Sequence, residues 1–499
     1  MRKVTFLGFL ALSALALGLF PACSSPYNGA EPGEMATFTI NLGGNVTGRM
    51  VYGPDKPGYP DVEDLRFEVT FQRVDDAGNP TGAPIEFMHH GKDGGDTISG
   101  KIELGEYDIS LEIYLSTTPY LYASNDPGFG GTPISKHEII PGPNHIVISV
   151  GPNPNIEGTG LITDPFKVYD VATLLRVGKE NAAGDTWTRA AHYVLVTDIV
   201  LPAPAPGDSN WAPIGTSLTQ SFTGTFDGGG FTISNLTIID SSGQYYGLFG
   251  IIGSLGTVKN LGLIDVDITI TLDGDTVGGV AGYLDGGTVE NCYTTGTVTG
   301  RDRVGGVVGS MNRPAALVEN SYSTATVIAR MSGGGVVGEI SNVTPGATVR
   351  NCYSAGTVSA QNSGGGIVGA NNGGTVENCV ALNGSIISIA TSTVFGRVAG
   401  NNPDPSGVDP HFLTDNYTWA GMEFIRNGNP ETFPASTPSG SNGRDGANLS
   451  PNARTQAAWA AAFFDFSDSG PWVWNGGAGM PSLKGFSATP LPWPGYLMP

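Results

Sequence analysis

Apolar and polar residues alternate along much of the chain between residues 35 and 150. The alternation is clearest at 66–71, which reads RFEVTF, and at 107–113, which reads YDISLEI. A period of two is typical of antiparallel strands with one buried face. Several such segments are separated by turns that contain glycine and aspartate. The pattern therefore predicts a small β-sandwich over residues 35–150, of immunoglobulin-like or transthyretin-like type.

The pattern changes after residue 150. Residues 151–164 read GPNPNIEGTGLITD and predict a linker. Residues 168–179 then place Val171, Leu174 and Leu175 at helical spacing, and Asp170 is suited to cap the start of that helix. We expect this helix to cover the N-terminal end of the fold that follows it.

A four-residue motif bounded by glycine returns through the middle of the chain. It reads GLFG at 247–250, GVAG at 279–282, GVVG at 306–309 and 335–338, and GIVG at 366–369, with a degraded copy, RVAG, at 397–400. Its last glycines, at 250, 282, 309, 338, 369 and 400, are 27–32 residues apart. A second motif, VENCY at 289–293, returns in the same phase. Two motifs that stay in phase over five repeats indicate a repeat architecture.

Each repeat is expected to hold three short strands: the glycine motif, the V-x-N-C-Y segment and a G-T-V segment. Three strands in about 30 residues form one turn of a β-solenoid, and successive turns pair in parallel about 4.8 Å apart. The predicted fold class is therefore all-β. It comprises an N-terminal β-sandwich and a parallel β-helix over residues 165–400, with helical and aromatic caps.

Equivalent side chains of successive turns should stack into ladders. The asparagine ladder is expected to be structural, with a ligand site as the alternative, and consists of Asn260, Asn291, Asn320, Asn351 and Asn378. The next position reads Leu261, Cys292, Ser321, Cys352 and Cys379. Because leucine and serine replace cysteine there, we expect a buried, tolerant position and no metal site. A disulfide between Cys352 and Cys379 is the alternative. The tyrosines at 293, 322 and 353 should form an aromatic ladder.

The C-terminal part has little periodicity. Residues 401–486 are expected to cap the β-helix, with Trp472, Trp474 and Leu483 covering its last open rung. Stacking of the tryptophans on sugar rings is the alternative. Residues 487–499 are expected to form a tail, either ordered or frayed.

Composition narrows the function. The chain has 499 residues with 75 glycines and 35 prolines, and its net charge is −21. A nucleic-acid-binding protein needs a basic surface to neutralise phosphates, so nucleic acid is not an expected partner.

The first residues predict an export signal. Arg2 and Lys3 precede an apolar run at 4–20, and Ala22 precedes Cys23. A small residue before cysteine at the end of such a run resembles the bacterial lipoprotein signal. The resemblance implies a signal peptide at 1–22, acylation of Cys23 and a tether at 23–34, with a lipid anchor holding the protein at the cell envelope, at the outer membrane or cell surface.

Catalytic motifs are scarce in this sequence. H-E-x-x-H and G-x-S-x-G are absent. The paired carboxylates Asp265/Asp267 and Asp273/Asp275 lie one repeat before Arg301, and the first pair flanks Val266 so that both should face one side of a strand. No complete catalytic constellation emerges, and no metal or cofactor is expected.

The repeats resemble GLUG-motif repeats, through GLFG at 247–250 and its GVVG variants and through the lead-in FTGTFDGGGFTI at 222–233. The resemblance covers about residues 165–485. It implies a right-handed parallel β-helix on a bacterial surface protein, in a family that includes adhesin-like proteins and some IgA-specific metallopeptidases. It implies no catalytic residues.

We therefore expect a non-enzymatic, lipid-anchored surface protein that presents a β-helix for adhesion or for binding a host or environmental glycan or protein. A polysaccharide-processing β-helix enzyme and a purely structural surface protein are the alternatives.

Overall fold

The computed structural model describes most of the chain after residue 157 and separate segments before it. The described residues are 35–41, 65–75, 77, 79–90, 97–103, 105–115, 121–124, 134–139, 143–146, 151–152, 158–179, 186–240, 243–271, 273–341, 346–390, 394–402, 413–433, 442–449, 454–476, 479–486 and 491–497. The predicted signal peptide, Cys23 and the tether lie outside them. No helix among these residues is long and apolar enough to cross a membrane.

The strands before residue 158 form two sheets. The larger sheet contains Ile85–His90, Leu65–Arg73, Gly105–Leu115, Leu121–Ser124, Gly151–Pro152 and Ile134–Ile139. The smaller sheet contains Thr97–Glu103, Met35–Asn41 and Pro143–Ile146. Alternate side chains of the larger sheet, such as Val69 and Phe71, are fully buried, as the period of two requires.

An aromatic cluster and a short helix, α1 (Val171–Arg176), lie at the start of the β-helix. The Asp170 side chain accepts the Thr173 N–H at 2.8 Å, which caps α1. Phe166, on the first strand, stacks on Trp187 with ring centroids 4.5 Å apart. Leu174 is buried, whereas Leu175, expected on the same face, is 44% exposed.

The repeats form a parallel β-helix with four sheets, which confirms the predicted all-β solenoid. Sheet I contains Phe166–Val168, His192–Leu195, Thr225–Asp227, Thr257–Lys259, Thr288–Glu290, Leu317–Glu319, Thr348–Arg350, Thr375–Glu377 and Leu413–Thr414. Nine strands spaced about 4.8 Å apart make a stack about 38 Å long.

Sheet II follows sheet I in each turn from His192–Leu195 onward and is the largest of the four. It contains Ile199–Val200, Thr232–Ser234, Thr237–Asp240, Gly262–Ile270, Tyr293–Thr299, Tyr322–Ser323, Thr326–Ile328, Tyr353–Ser354, Val358–Ala360, Val380–Ala381, Ser385–Ser388, Tyr417–Thr418, Glu423–Arg426, Asn429–Glu431 and Ala447–Asn448.

Sheets III and IV have six strands each and complete six of the turns. Sheet III contains Tyr245–Tyr246, Thr276–Gly278, Arg303–Gly305, Ser332–Gly334, Ser363–Gly365 and Val394–Gly396. Sheet IV contains Phe249–Gly253, Ala281–Asp285, Val308–Asn312, Val337–Ile340, Val368–Asn371 and Ala399–Asn401.

The expected three strands per repeat are too few. The V-x-N-C-Y segment does not form one strand, because its asparagine ends sheet I and the chain turns into sheet II. Asn291 has a φ of 50° and Asn320 a φ of 47°, in the left-handed region that breaks an extended strand. Asparagine adopts this region more readily than most residues with a Cβ. The need for positive φ at this corner thus explains why asparagine recurs at the same position of each repeat.

The glycine motif lies where backbones of neighbouring turns meet. A Cβ on Gly306 would lie 2.3 Å from the Gly335 carbonyl oxygen, and one on Gly309 would lie 2.5 Å from the Val277 nitrogen. No side chain larger than hydrogen fits at these separations. The motif is therefore required by close approach of the backbones and not by a ligand.

The tryptophans lie elsewhere than expected. The C-terminal strap, defined as the described residues from 454 to 497, packs along the side of the β-helix. It contains helix α2 (Gln456–Ala461), the paired strands Trp472–Val473 and Ser482–Leu483, and a 3-10 helix (Gly495–Leu497). The Trp472 ring lies 5.6 Å from that of Tyr353, which follows the seventh of the nine sheet I strands and is therefore not on the last rung. The tyrosines project outward and provide an apolar strip for the strap.

A short antiparallel hairpin, and not the tryptophans of the strap, follows the last turns of the β-helix. Its strands are Glu423–Arg426 and Asn429–Glu431, and the ring of Phe433 stacks on that of Phe424 with centroids 5.2 Å apart. Phe424 in turn lies 5.3 Å from Phe395 in the core.

The corner conformation predicts an unusual order of stability for two variants of Asn320. Asn320→Ala should lower the free energy of unfolding by about 1–2 kcal/mol, because alanine is strained at positive φ. Asn320→Gly should cost less, since glycine adopts that conformation freely. Both variants lose the same side chain, so urea unfolding of the pair isolates the backbone effect. A glycine variant less stable than the alanine variant would show that the corner does not need positive φ.

Candidate functional site

The five ladder asparagines stack at one corner of the solenoid. Asn291 Nδ2 donates to Asn260 Oδ1 at 3.2 Å, and Asn351 Nδ2 donates to Asn320 Oδ1 at 3.3 Å. The Asn378 backbone N–H donates to the Thr414 carbonyl at 3.0 Å, as the Asn351 N–H donates to the Glu377 carbonyl at 3.1 Å one turn earlier. Within the described residues, Asn291 Oδ1 is buried without a hydrogen-bond partner. The side-chain ladder is thus made of pairs and is not continuous.

The three repeat cysteines point into the solenoid core and are fully buried free thiols, so no disulfide joins Cys352 to Cys379. Burial raises the pKa of Cys292 to about 12. Ser321 occupies the same position in the next turn, and its hydroxyl accepts the Cys292 N–H at 3.1 Å. A nucleophilic or metal-binding thiolate is not favoured in this environment.

The carboxylates at 273 and 275 tie neighbouring turns together. Asp275 is fully buried and accepts the backbone N–H groups of Arg301 at 2.9 Å and Asp302 at 2.6 Å. Burial raises the pKa of Asp275 above its usual range. Asp273 is exposed and pairs with Arg301 at 2.9 Å and Arg330 at 3.0 Å. Among the described residues, no group of three or more potential ligands is placed to hold a metal ion.

The other carboxylate pair lies at an irregularity in sheet II. The register between Gly262–Ile270 and Tyr293–Thr299 shifts between Leu263 and Val266. Asp265 is the extra residue, with a φ of 54°, and its backbone N–H donates to Thr295 Oγ1 at 2.9 Å. Such a β-bulge bends the strand and redirects a side chain. Asp265 and Asp267 are both exposed and Val266 is buried, as alternation predicted.

The β-helix and the strap enclose a groove of about 240 Å³, which we call the aromatic groove. Its β-helix wall consists of Ile264, Asp265, Tyr293, Thr295, Tyr322 and Thr324, and its strap wall consists of Ser482, Leu483, Phe486 and Leu491. Asp267 is not part of either wall. The bulge therefore separates the two carboxylates and places only Asp265 at the groove.

Two of the groove's wall residues, Tyr293 and Tyr322, belong to a stack of three tyrosines. The rings of Tyr293 and Tyr322 are 4.9 Å apart and inclined by 3°, and those of Tyr322 and Tyr353 are 4.6 Å apart and inclined by 4°. Burial, with a smaller effect from Asp198, raises the pKa of Tyr293 to about 12. These side chains therefore stay neutral at physiological pH.

Direct contacts hold the strap wall in place. The Tyr353 hydroxyl donates to the Pro481 carbonyl at 2.7 Å, and Phe486 packs edge-on against Tyr293 with ring centroids 5.2 Å apart. Lys484 Nζ donates to the carbonyls of Ser467 and Asp468, at 2.9 and 2.7 Å. The groove is thus fixed by contacts between distant parts of the chain.

The lining suits a ligand with an apolar face and several hydroxyl groups. Aromatic rings and leucines provide the apolar contact, whereas Thr295, Thr324 and Ser482 provide hydroxyls. Because the Asp265 N–H occupies an acceptor position of the Thr295 hydroxyl, the hydroxyl hydrogen can be directed to a ligand. Sequence reasoning identified the tyrosine ladder but not the groove, since the strap comes from about 160 residues further along the chain.

Comparison with known proteins supports the repeat class. The family described as the GLUG motif matches residues 273–299. This segment holds strands of sheets III, IV, I and II, which is one complete turn of the solenoid. The chain thus carries a GLUG motif within a β-helix of repeated turns.

Two relatives match part of the chain. Halomucin of Haloquadratum walsbyi is 37% identical over 161 residues, which are 31% of this chain and 2% of that protein. A protein of Evansella cellulosilytica named as a Gly-rich membrane protein is 36% identical over 138 residues, which are 27% of this chain and 15% of that protein. The matched regions therefore span only a small part of each relative.

The fold also has a counterpart among solved structures. The crystal structure of a Bacteroides ovatus protein named as an immunoglobulin A1 protease superimposes with a TM-score of 0.53 and 22% identity, covering 66% of this chain and 94% of that one. At this identity the likeness establishes a shared fold alone.

Proposed function

We propose that this chain is a lipid-anchored cell-envelope protein whose β-helix binds a terminal sugar residue of a glycan in the aromatic groove, without catalysing a reaction. The names of the relatives, halomucin and Gly-rich membrane protein, support a place at the cell envelope. The groove itself carries the binding proposal.

The chemistry of the groove favours a sugar over a wholly apolar ligand. A pyranose has an apolar face that packs on aromatic rings, here Phe486 and the edge of the tyrosine ladder. Its hydroxyls are both donors and acceptors, as are those of Thr295 and Thr324. A net charge of −21 disfavours polyanionic ligands such as nucleic acid.

A purely binding role is favoured by the environment of the carboxylates. Asp275, whose pKa is raised, is fully buried beneath backbone groups and cannot contact a polymer at the surface. Asp265 is accessible, but Asp267 lies outside the groove, so the two do not flank a common bond there. The alternative of a polysaccharide-processing enzyme requires two groups that act on the same bond.

Binding in the groove predicts distinct effects of neighbouring variants. Phe486→Ala should weaken glycan affinity at least about tenfold, equivalent to about 1.4 kcal/mol. Thr295→Val should weaken it severalfold, because valine keeps the shape and loses the hydroxyl. A glycan array identifies the ligand, and isothermal titration calorimetry gives the dissociation constants.

Thr297→Val and Phe463→Ala are matched controls, since neither residue lines the groove, and both should leave affinity unchanged. Release of reducing ends is measured in parallel with the same glycans. The proposal fails if no glycan binds, if binding is indifferent to Phe486→Ala and Thr295→Val, or if reducing ends are released.

The lipid anchor predicts that Cys23 is the acylated residue. In a bacterial expression host, labelled palmitate should enter the protein, and Cys23→Ala should abolish labelling and release the protein from the membrane fraction. Cys292→Ser is the control, because serine already occupies this core position at Ser321. Labelling that persists in Cys23→Ala would exclude this anchor.

A further inference from the structure

The bulge in sheet II places one charged side chain, Asp265, in the β-helix wall of the aromatic groove. The register shift leaves Ile264 and Asp265 opposite the single residue Thr295 of the next turn, and Thr324 follows the paired Ser323 one turn further on. All four residues line the groove. Asp265 is added to this wall by the register shift. Its φ of 54° lies in the left-handed region, which aspartate, like asparagine, adopts more readily than most residues with a Cβ.

The charge of Asp265 is not balanced within the groove. The ten lining residues include no lysine, arginine or histidine, and no ion pair to Asp265 occurs in the described part of the chain. The arginines at 301 and 330 are engaged by Asp273 instead. The groove therefore presents one carboxylate beside apolar rings and hydroxyls.

We propose that the aromatic groove selects an amino sugar, whose protonated amine pairs with Asp265 while its ring packs against Phe486. This inference rests on the proposed function and specifies its ligand class. The hydroxyls of Thr295 and Thr324 lie on the same wall and bind the ring substituents. The protein's negative charge further attracts a cationic ligand and repels an acidic one.

A matched set of ligands tests this selectivity on the full-length protein. Oligosaccharides of glucosamine, N-acetylglucosamine, glucose and glucuronic acid share a ring and differ in charge. Calorimetry should show glucosamine oligomers binding at least tenfold more tightly than the neutral forms, with the acidic form weakest. The preference should shrink as salt concentration rises, because the charges are partly exposed. Spermidine, an amine without a sugar ring, should not compete.

Variants of Asp265 separate the charge from the fold. Asp265→Asn should abolish the preference for the amine, so that glucosamine and glucose oligosaccharides bind with the same affinity. Asp265→Gly keeps a residue suited to positive φ and should give the same loss, which excludes distortion of the bulge as the cause. Asp267→Asn removes a charge two residues away, outside the groove, and should preserve the preference.

Several outcomes would overturn the inference. If the unaltered protein binds glucosamine oligosaccharides and neutral oligosaccharides equally tightly, the proposed selectivity for amino sugars is wrong. If Phe486→Ala then abolishes the binding of both kinds of oligosaccharide, the proposal that the groove binds glycans still stands. Equally tight binding of spermidine indicates an amine site without sugar recognition. Failure of every oligosaccharide to bind refutes both the inference and the proposed function.

Discussion

Backbone contact between successive turns is the constraint on which this structure depends. At Gly306 and Gly309 the neighbouring turn is so close that a methyl group would overlap its backbone. This contact brings sheets III and IV together and keeps the turns in register. Aligned turns then stack identical side chains, including the valine column of sheet I at 258, 289, 318, 349 and 376. The ladders are thus a consequence of the register.

The candidate site follows from the same register. Because Tyr293, Tyr322 and Tyr353 are aligned, their rings form a continuous outward-facing stack that the strap covers. The strap leaves the aromatic groove open where the aligned side chains become threonine and isoleucine. Two irregular features, the path of the strap and the bulge at Asp265, therefore create the candidate site on an otherwise regular β-helix.

The sequence was sufficient to predict the solenoid and the role of its repeats. Motifs that keep phase over several turns indicate that the turns share a register. Ser321 stands where other repeats have cysteine, which indicates that this position is structural. The split of each V-x-N-C-Y segment was missed, because the letter pattern alone does not reveal that asparagine takes positive φ. The prediction that Trp472 covers the last rung was wrong. A hydrophobic side chain in a sequence indicates burial but does not indicate which surface of the fold covers it. The bulge was hidden because Asp265 and Asp267 fit simple alternation around Val266.

The most direct test of the central claim is the free energy of unfolding of Gly309→Ala compared with Gly495→Ala. A Cβ at 309 would lie 2.5 Å from the Val277 nitrogen, whereas one at 495 would meet no atom within 4 Å. Gly309→Ala should lose about 1–3 kcal/mol through overpacking against rigid backbone. Gly495→Ala should be unchanged or slightly stabilised. Equal stability of the two variants would contradict the conclusion that backbone contact between turns determines the repeat.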